Sequence, residues 1–274
     1  MLVCSKQMLE EASASNYAIP ATNYVDTHTL KAYIAVAEEL NRPLILQYAE
    51  GFKPFFPIEE AFYLGKYYAE KASVPVALHL DHGYDPEFIK KAVDMGFTSV
   101  MIDASEKSFE DNVATTKDIV EYAHARGVAV EAEIGHVGTG ASLEDADNSD
   151  TIYTEVDAAR EFARLTGIDS LAVSIGTAHG QYKSVPKLNF ERLKEIKAVV
   201  DVPLVLHGGS GSGSENLTKC AELGISKVNL CTDFLLAAYD GYKSSEAKEY
   251  LGLRTDSEKA IKDKLKEYYH IFNL

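Results

Sequence analysis

Short apolar runs alternate with longer amphipathic stretches along the 274 residues of the chain. The runs that read as strands are YAIPATNYV (17–25), PLILQY (43–48), PVALHLD (75–81), TSVMID (98–103), GVAVEAEI (127–134), DSLAVSIG (169–176), VPLVLHG (202–208) and ISKVNLC (225–231). Between them apolar residues recur at helical spacing, as in THTLKAYIAVAEEL, IEEAFYLGKYYAEKA, PEFIKKAVDMG and VDAAREFARLTG. Pro43, Pro75 and Pro203 open strands, where a missing N–H is tolerated, and Gly96, Gly127, Gly167 and Gly224 fall where helices end. Eight strand–helix units in series, without a linker or a break in composition, predict an α/β fold: a single (β/α)8 TIM barrel with a C-terminal helical extension. An open doubly wound sheet is the competing architecture, but no GxGxxG follows the first strand. One domain is expected over 1–274, with the barrel at about 15–243 and the extension at about 244–274.

Two segments stand outside the repeat. Residues 135–151, GHVGTGASLEDADNSDT, are rich in glycine, serine and acid and read as a long mobile loop after the fifth strand. The stretch SEKAIKDKLKEYYHIF reads as a last amphipathic helix, either packed on the barrel exterior or forming a dimer contact.

Strand alternation then sorts side chains into two sets. In the third strand Val76, Leu78 and Leu80 face the helices, and Ala77, His79 and Asp81 face the barrel interior. By the same parity Asp103, Glu131, Glu133, Val205, His207, Lys227, Asn229 and Cys231 point inward. The ionisable members gather near the C-terminal ends of successive strands, where barrels carry active sites. His82, His179 and His207 fall at three of these ends, and three imidazoles with room for one more ligand are the pattern of a catalytic zinc site. Asp103 and Glu133 could supply oxygen ligands to a displaced metal position, orient the histidines, or remain salt-bridged lumen carboxylates. His28, His124, His136 and His270 lie in helices or loops and receive no role. The stretch HGGSGSGSENL at 207–217 offers small residues and a following helix N-terminus, the makings of a phosphate cradle at the position where barrels often have one.

Composition narrows the partners. Lys+Arg number 27 against 42 Asp+Glu, a net charge of -15 that disfavours nucleic acid and anionic membranes. No apolar run approaches the ~18 residues of a membrane span, and MLVCSKQMLEEASASNYAIP lacks a signal-peptide core. Cys4, Cys220 and Cys231 have no CxxC spacing and form neither a disulfide framework nor a cysteine zinc knuckle. A soluble cytoplasmic protein is the expectation.

The ordered motifs LDHG, SVMIDAS, EAEIG, GTAHG, LHGGSG and KVNLCTD, spread over roughly residues 5–240, resemble those of the class II, zinc-dependent ketose-bisphosphate aldolases, the group that holds the fructose- and tagatose-bisphosphate enzymes. The resemblance implies Zn2+ on His82, His179 and His207, an alternate metal position at Asp103 and Glu133, and proton transfer by Asp81. It implies that Gly180, Gly208, Gly209, Ser210, Asn229, Leu230, Cys231 and Thr232 hold dihydroxyacetone phosphate, with Asn23 and the loop acid Glu144 as further site residues. A monovalent cation (Na+ or K+) near the phosphate and a homodimer or homotetramer are also implied. The implied reaction is reversible cleavage of a ketose 1,6-bisphosphate, fructose 1,6-bisphosphate foremost, into dihydroxyacetone phosphate and glyceraldehyde 3-phosphate. Tagatose bisphosphate or another phosphorylated keto sugar is the alternative.

Three departures bear on the substrate. Cys231 stands where fructose-specific members often carry Asp, and Tyr48–Ala49 replaces the small hydroxyl residues common there. Lys248 and Arg254 are both available for the distal phosphate that the family binds with an arginine from a neighbouring subunit. Rival functions are a Schiff-base aldolase using Lys227, a metal-dependent hydrolase, and a non-catalytic phosphosugar-binding protein.

Overall fold

The computed structural model describes residues 1–135, 137 and 153–274. Eight parallel strands close into a barrel in sequence order: β1 (Ile19–Asn23), β2 (Leu44–Ala49), β3 (Val76–Gly83), β4 (Ser99–Ile102), β5 (Ala129–Ile134), β6 (Ser170–Val173), β7 (Leu204–Leu206) and β8 (Ile225–Leu230). Closure is made by β8 against β1, with Ile19 opposite Lys227 and Ala21 opposite Asn229. Among the described residues α1 (Ser5–Ser15) precedes the barrel, and α2 (Thr27–Leu40), α3 (Ile58–Lys71), α4 (Pro86–Met95), α5 (Phe109–His124), α6 (Val156–Thr166), α7 (Phe190–Val199), α8 (Ser214–Glu222) and α9 (Thr232–Ser244) follow successive strands. The last helix is α10 (Tyr250–Ile271). This is the (β/α)8 TIM barrel with a C-terminal helical extension that the sequence predicts. No helix among the described residues is long and apolar enough to cross a membrane.

Parity holds where it was read. Val76, Leu78 and Leu80 belong to the large apolar cluster between strands and helices, as do Val100, Ile102, Val130 and Ala132. Ala77 joins Ile19, Ala21 and Ile45 in a second cluster inside the barrel at the strands' N-terminal ends. That inner cluster is closed by Met8, Leu9 and Ala12 of α1, an element the strand-centred reading missed. The spacing of those three residues puts them on one helix face, and left-handed Asn16 ends the helix. Lys6 fastens α1 to the barrel through Asp169 Oδ1 at 2.6 Å, while Asp169 Oδ2 accepts from His124 Nε2 and Val130 N, each at 2.8 Å.

Of the four glycines expected to end helices, Gly96 and Gly167 are the C-cap residues, and Gly127 and Gly224 stand just beyond Ala125 and Leu223, which take that place. The helix in the C-terminal extension packs on the barrel exterior: Ile261, Leu265, Tyr268 and Tyr269 are buried, Tyr268 meets Phe234 of α9, and Tyr269 donates to Pro43 O at 2.9 Å. Residues 136 and 138–152, which include most of the loop expected after the fifth strand together with Glu144, Asp145 and His136, lie outside the described residues.

Because α1 seals the lumen with apolar side chains, Leu9→Ala should open a void beneath β1 and β8 and cost about 2–5 kcal/mol. A denaturant titration should show the lower midpoint, and an unchanged midpoint would mean that α1 carries none of the barrel's stability.

Candidate active site

The mouth at the C-terminal strand ends collects the ionisable side chains. Asp81 and His82 are adjacent in β3, so strict alternation would send one of them outward. The register against β4 shifts between Leu80 and Gly83, and His82 takes a left-handed φ of 46°. This bulge turns His82 back toward the lumen beside Asp81. Gly83 is required there, since a Cβ would stand 2.6 Å from Met101 O and 2.5 Å from Ile89.

His82 Nε2 lies 3.2 Å from His179 Nε2 and 2.9 Å from His207 Nδ1. The edge of a tetrahedron with Zn–N bonds of about 2.0–2.1 Å is about 3.3–3.4 Å, so the spacing suits a shared ion. Each ring also sends its other nitrogen to an oxygen acceptor: His82 Nδ1 to Asp103 Oδ2 at 2.8 Å, His179 Nδ1 to Val137 O at 3.2 Å, and His207 Nε2 to Glu131 Oε1 at 2.9 Å. Those bonds leave the three converging nitrogens as the metal-facing set, which is the fit a metal site needs. His82, Asp103 and Glu133 form a second such group, and Glu133 Oε2 is buried with no hydrogen-bond partner.

The electrostatics agree. Burial and the neighbouring His82 push His179 down to about 4, and burial drives His207 well below the ordinary range, with His82 and Lys227 adding to it. Burial also works against charge on His82, but Asp81, the bond to Asp103 and nearby Glu133 outweigh it and raise His82 to about 9. Burial likewise opposes the charge on Asp81, yet His82, His207, Lys227 and the Asn23 amide hold its pKa below the usual value. Asn23 Nδ2 donates to Asp81 Oδ2 and Asn229 Nδ2 to Oδ1, both at 2.9 Å. Glu133 receives the Val137 amide at 2.9 Å, and burial with Asp103 beside it pushes it up to about 8.

A cavity of about 230 Å³ opens beside this cluster. Of the residues expected to bind substrate, Gly180, Gly208, Ser210, Asn229, Leu230, Cys231 and Thr232 line it, together with Asn23, Asp81, His82 and His179. Gly209 does not: its amide donates to Asn229 O at 3.1 Å, and a Cβ there would lie 2.4 Å from Val228. It lets the loop lie against β8. Ser210 reaches the cavity, but its Oγ accepts from the amides of Cys231 and Asp233, both at 3.2 Å, at the start of α9. Gly208 has φ 67° and packs so tightly on Ala178 that no side chain fits.

Ala49 and Phe52 complete the wall, and Tyr84 lies nearly flat over His82 with ring centroids 6.1 Å apart. Phe52 and Tyr84 were not foreseen. Nor was Tyr182, whose Oη accepts from Ala178 N at 2.6 Å and donates to Gly208 O at 2.9 Å, joining the loops after β6 and β7. Lys227 is buried a layer below the mouth on Glu131 Oε2 at 2.8 Å, the lumen ion pair rather than a nucleophile facing the cavity. Neither Lys248 nor Arg254 lines the cavity; Arg254 lies over the Tyr250 ring in α10.

A family model described as fructose-bisphosphate aldolase class-II matches residues 3–274. Among solved structures the chain is similar to the YdjI aldolase from Escherichia coli K12, with 37% identity and a TM-score of 0.90 over 99% of this chain and 97% of that one. It is also similar to a putative fructose-1,6-biphosphate aldolase from Coccidioides immitis, at 31% identity and a TM-score of 0.86, covering 97% of this chain and 95% of that one. The fructose-bisphosphate aldolase (Fba) from Campylobacter jejuni shares the fold at 24% identity and a TM-score of 0.81, over 99% and 95% of the two chains.

Tyr182→Phe removes the hydroxyl that ties Gly208 to Ala178. A hydrogen bond is worth about 0.5–1.5 kcal/mol net, so the KM for a phosphorylated substrate should rise by up to about tenfold while kcat holds. Steady-state kinetics decide it, and a fall confined to kcat would refute a role in anchoring the loop.

Proposed function

We propose that the chain, which belongs to the class II fructose-bisphosphate aldolase family, uses zinc to cleave a phosphorylated ketose reversibly into dihydroxyacetone phosphate and an aldehyde. Fructose 1,6-bisphosphate, giving glyceraldehyde 3-phosphate, is the first substrate; its tagatose epimer is the alternative, favoured by the small, uncharged Cys231 in the cavity wall. The observation that carries the reading is the convergence of His82, His179 and His207 beside the doubly hydrogen-bonded Asp81 carboxylate, in a cavity walled by the glycine-rich loop.

His82, His179 and His207 would hold the zinc, which supplies a Lewis acid for the substrate ketone and for the charge left on carbon after cleavage. Asp81 takes the proton from the hydroxyl on the carbon that becomes the aldehyde and returns it in the condensation direction. Asn23 and Asn229 aim that carboxylate, and His82, His207 and Lys227 favour its charged form against burial. Gly180, Gly208 and Thr232, with the positive end of α9, bind the phosphate at one end of the substrate and so fix the reacting carbons at the other. Asp103 fixes the His82 ring, and Glu133 offers a further oxygen donor beside it, the alternate metal position.

The exposed apolar side chains Leu235, Leu236, Tyr239 and Tyr242 follow a helical stripe on α9 and, with Tyr250 and Leu251, support a homo-oligomer. A neighbouring copy would then be the source of a cation for a distal phosphate. One domain over 1–274 and a cytoplasmic location belong to the same reading, and activity with Na+ against K+ tests the monovalent cation.

Chelation should abolish cleavage, zinc should restore it, and borohydride should trap no substrate on the protein. Trapping on Lys227 would replace this reading with Schiff-base chemistry, and hydrolysis without aldol products would replace it with a hydrolase. Rates on fructose and tagatose 1,6-bisphosphates identify the sugar, with the fructose epimer expected to be faster.

Asp81→Asn sets an amide against two amide donors, so Asn23 must turn its side chain over to restore pairing. Turnover should fall by about 10²–10⁴ while zinc content and substrate binding persist. Single-turnover cleavage near the wild-type rate would place the base elsewhere.

A further inference from the structure

A second constellation lies beneath the histidines, and neither the family match nor the proposed reaction assigns it a task. Glu131 of β5 and Lys227 of β8 are each only 1% exposed, deep in the lumen. Both carboxylate oxygens of Glu131 are engaged: Oε1 accepts from His207 Nε2 at 2.9 Å, and Oε2 accepts from Lys227 Nζ at 2.8 Å. The chain Lys227–Glu131–His207 therefore crosses the barrel from β8 to β5 to the end of β7.

We propose that Glu131 and Lys227 are positioning residues that set the affinity of the site for its metal by fixing which nitrogen of His207 faces it. A neutral imidazole carries one N–H, and either nitrogen can hold it. An ionised carboxylate only accepts, so Glu131 pins the proton on His207 Nε2. Nδ1 is then left with its lone pair toward His82 Nε2, 2.9 Å away. Without that acceptor His207 could place its proton on Nδ1 and present no lone pair to the site.

Lys227 makes the arrangement sustainable. A buried carboxylate without a partner is costly. The Lys227 ammonium occupies Oε2 and leaves Oε1 to His207. One amide orientation of Gln47 also points its oxygen at Lys227 Nζ, 3.1 Å away, holding the lysine from a third strand. The lysine that a Schiff-base aldolase would use thus acts through Glu131 on a histidine at the mouth.

This inference rests on the reading of the three histidines as a metal site, so the experiment separates the two. Zinc affinity is measured by chelator competition on metal-free wild type, Glu131→Gln and the double variant Glu131→Leu/Lys227→Met, which leaves no acceptor beside His207 Nε2, with thermal unfolding of each. The double variant removes both charges together, so no unpaired ion remains to unfold the barrel. Loss of a ligand-orienting partner typically weakens metal affinity about 10–100-fold, and both variants should show a loss of that size. Leu9→Ala, which loosens the far end of the barrel, should leave zinc affinity unchanged and so separates positioning from general destabilisation. A folded double variant with wild-type zinc affinity overturns the proposal. A wild type that binds no zinc overturns the histidine site and the proposal with it.

Discussion

Two neighbouring residues of one strand do not ordinarily face the same side of a sheet, and this site needs Asp81 and His82 to do so. The bulge between Leu80 and Gly83 satisfies that requirement, with His82 held at φ 46°. Such backbone costs on the order of 1–3 kcal/mol and persists only where the surroundings over-determine it. Here Gly83 O accepts the Asp103 amide at 2.8 Å, Gly83 sits against Ile89 of α4, and the His82 ring is bonded to Asp103. Were His82 to relax to ordinary strand geometry, its ring would point toward α4 and the three-histidine cluster would lose its central member. The local strain and the chemistry are one feature.

Around that bulge, hydrogen bonds divide four lumen carboxylates into different roles. Asp81 takes two amide donors and stays ionised; Asp103 takes an imidazole and Ser105 and is held low, against the opposing effect of its own burial. Glu131 takes an imidazole and an ammonium. Glu133 takes the Val137 amide, keeps Oε2 bare, and is the member whose pKa is pushed up, by burial and by Asp103 beside it. The difference follows from the neighbouring charge as well as the donors: Asp81 and Asp103 have His82 against them, whereas Glu133 has Asp103. A carboxylate with one oxygen left bare is suited to a movable ion, whereas a doubly saturated one is suited to a fixed proton acceptor.

The barrel was legible because its signal is periodic. Strand parity placed Asp81, Glu131, Glu133, Lys227 and Asn229 inside from residue type and spacing alone, and six of the eight strands lie within their expected runs, while β2 and β3 run past theirs to Ala49 and Gly83. What escaped lacks that periodicity or depends on contacts distant in sequence. Helix α1 has three apolar contacts, and its importance appears only once the barrel bottom exists to be sealed. Tyr182 works through one hydroxyl between two loops, a role no residue pattern announces. Gly209, which the resemblance sets at the substrate, packs its Cα against β8, a contact that spacing does not announce. The bulge left a trace in the LDHG run: an acid and a histidine side by side, followed by a residue with no side chain.

The anion-binding half of the site works within a chain of net charge -15. Among the described residues that line the cavity, none is Lys or Arg. In the proposed reaction, attraction for a phosphate would therefore come from the metal side, from backbone amides and from the start of α9. Ser210 and Asp233 are central to this economy: Ser210 Oγ holds the amides of Cys231 and Asp233, and Asp233 holds Gly211 N at 3.2 Å and the Tyr268 hydroxyl. The helix end and the glycine loop are thereby fixed to one another and, through Tyr268, to the C-terminal extension. Fixed dipoles bind a small dianion well only if they need not be reorganised when it arrives. In the proposed reaction the C-terminal extension would serve by keeping α9 and the loop in place for the phosphate.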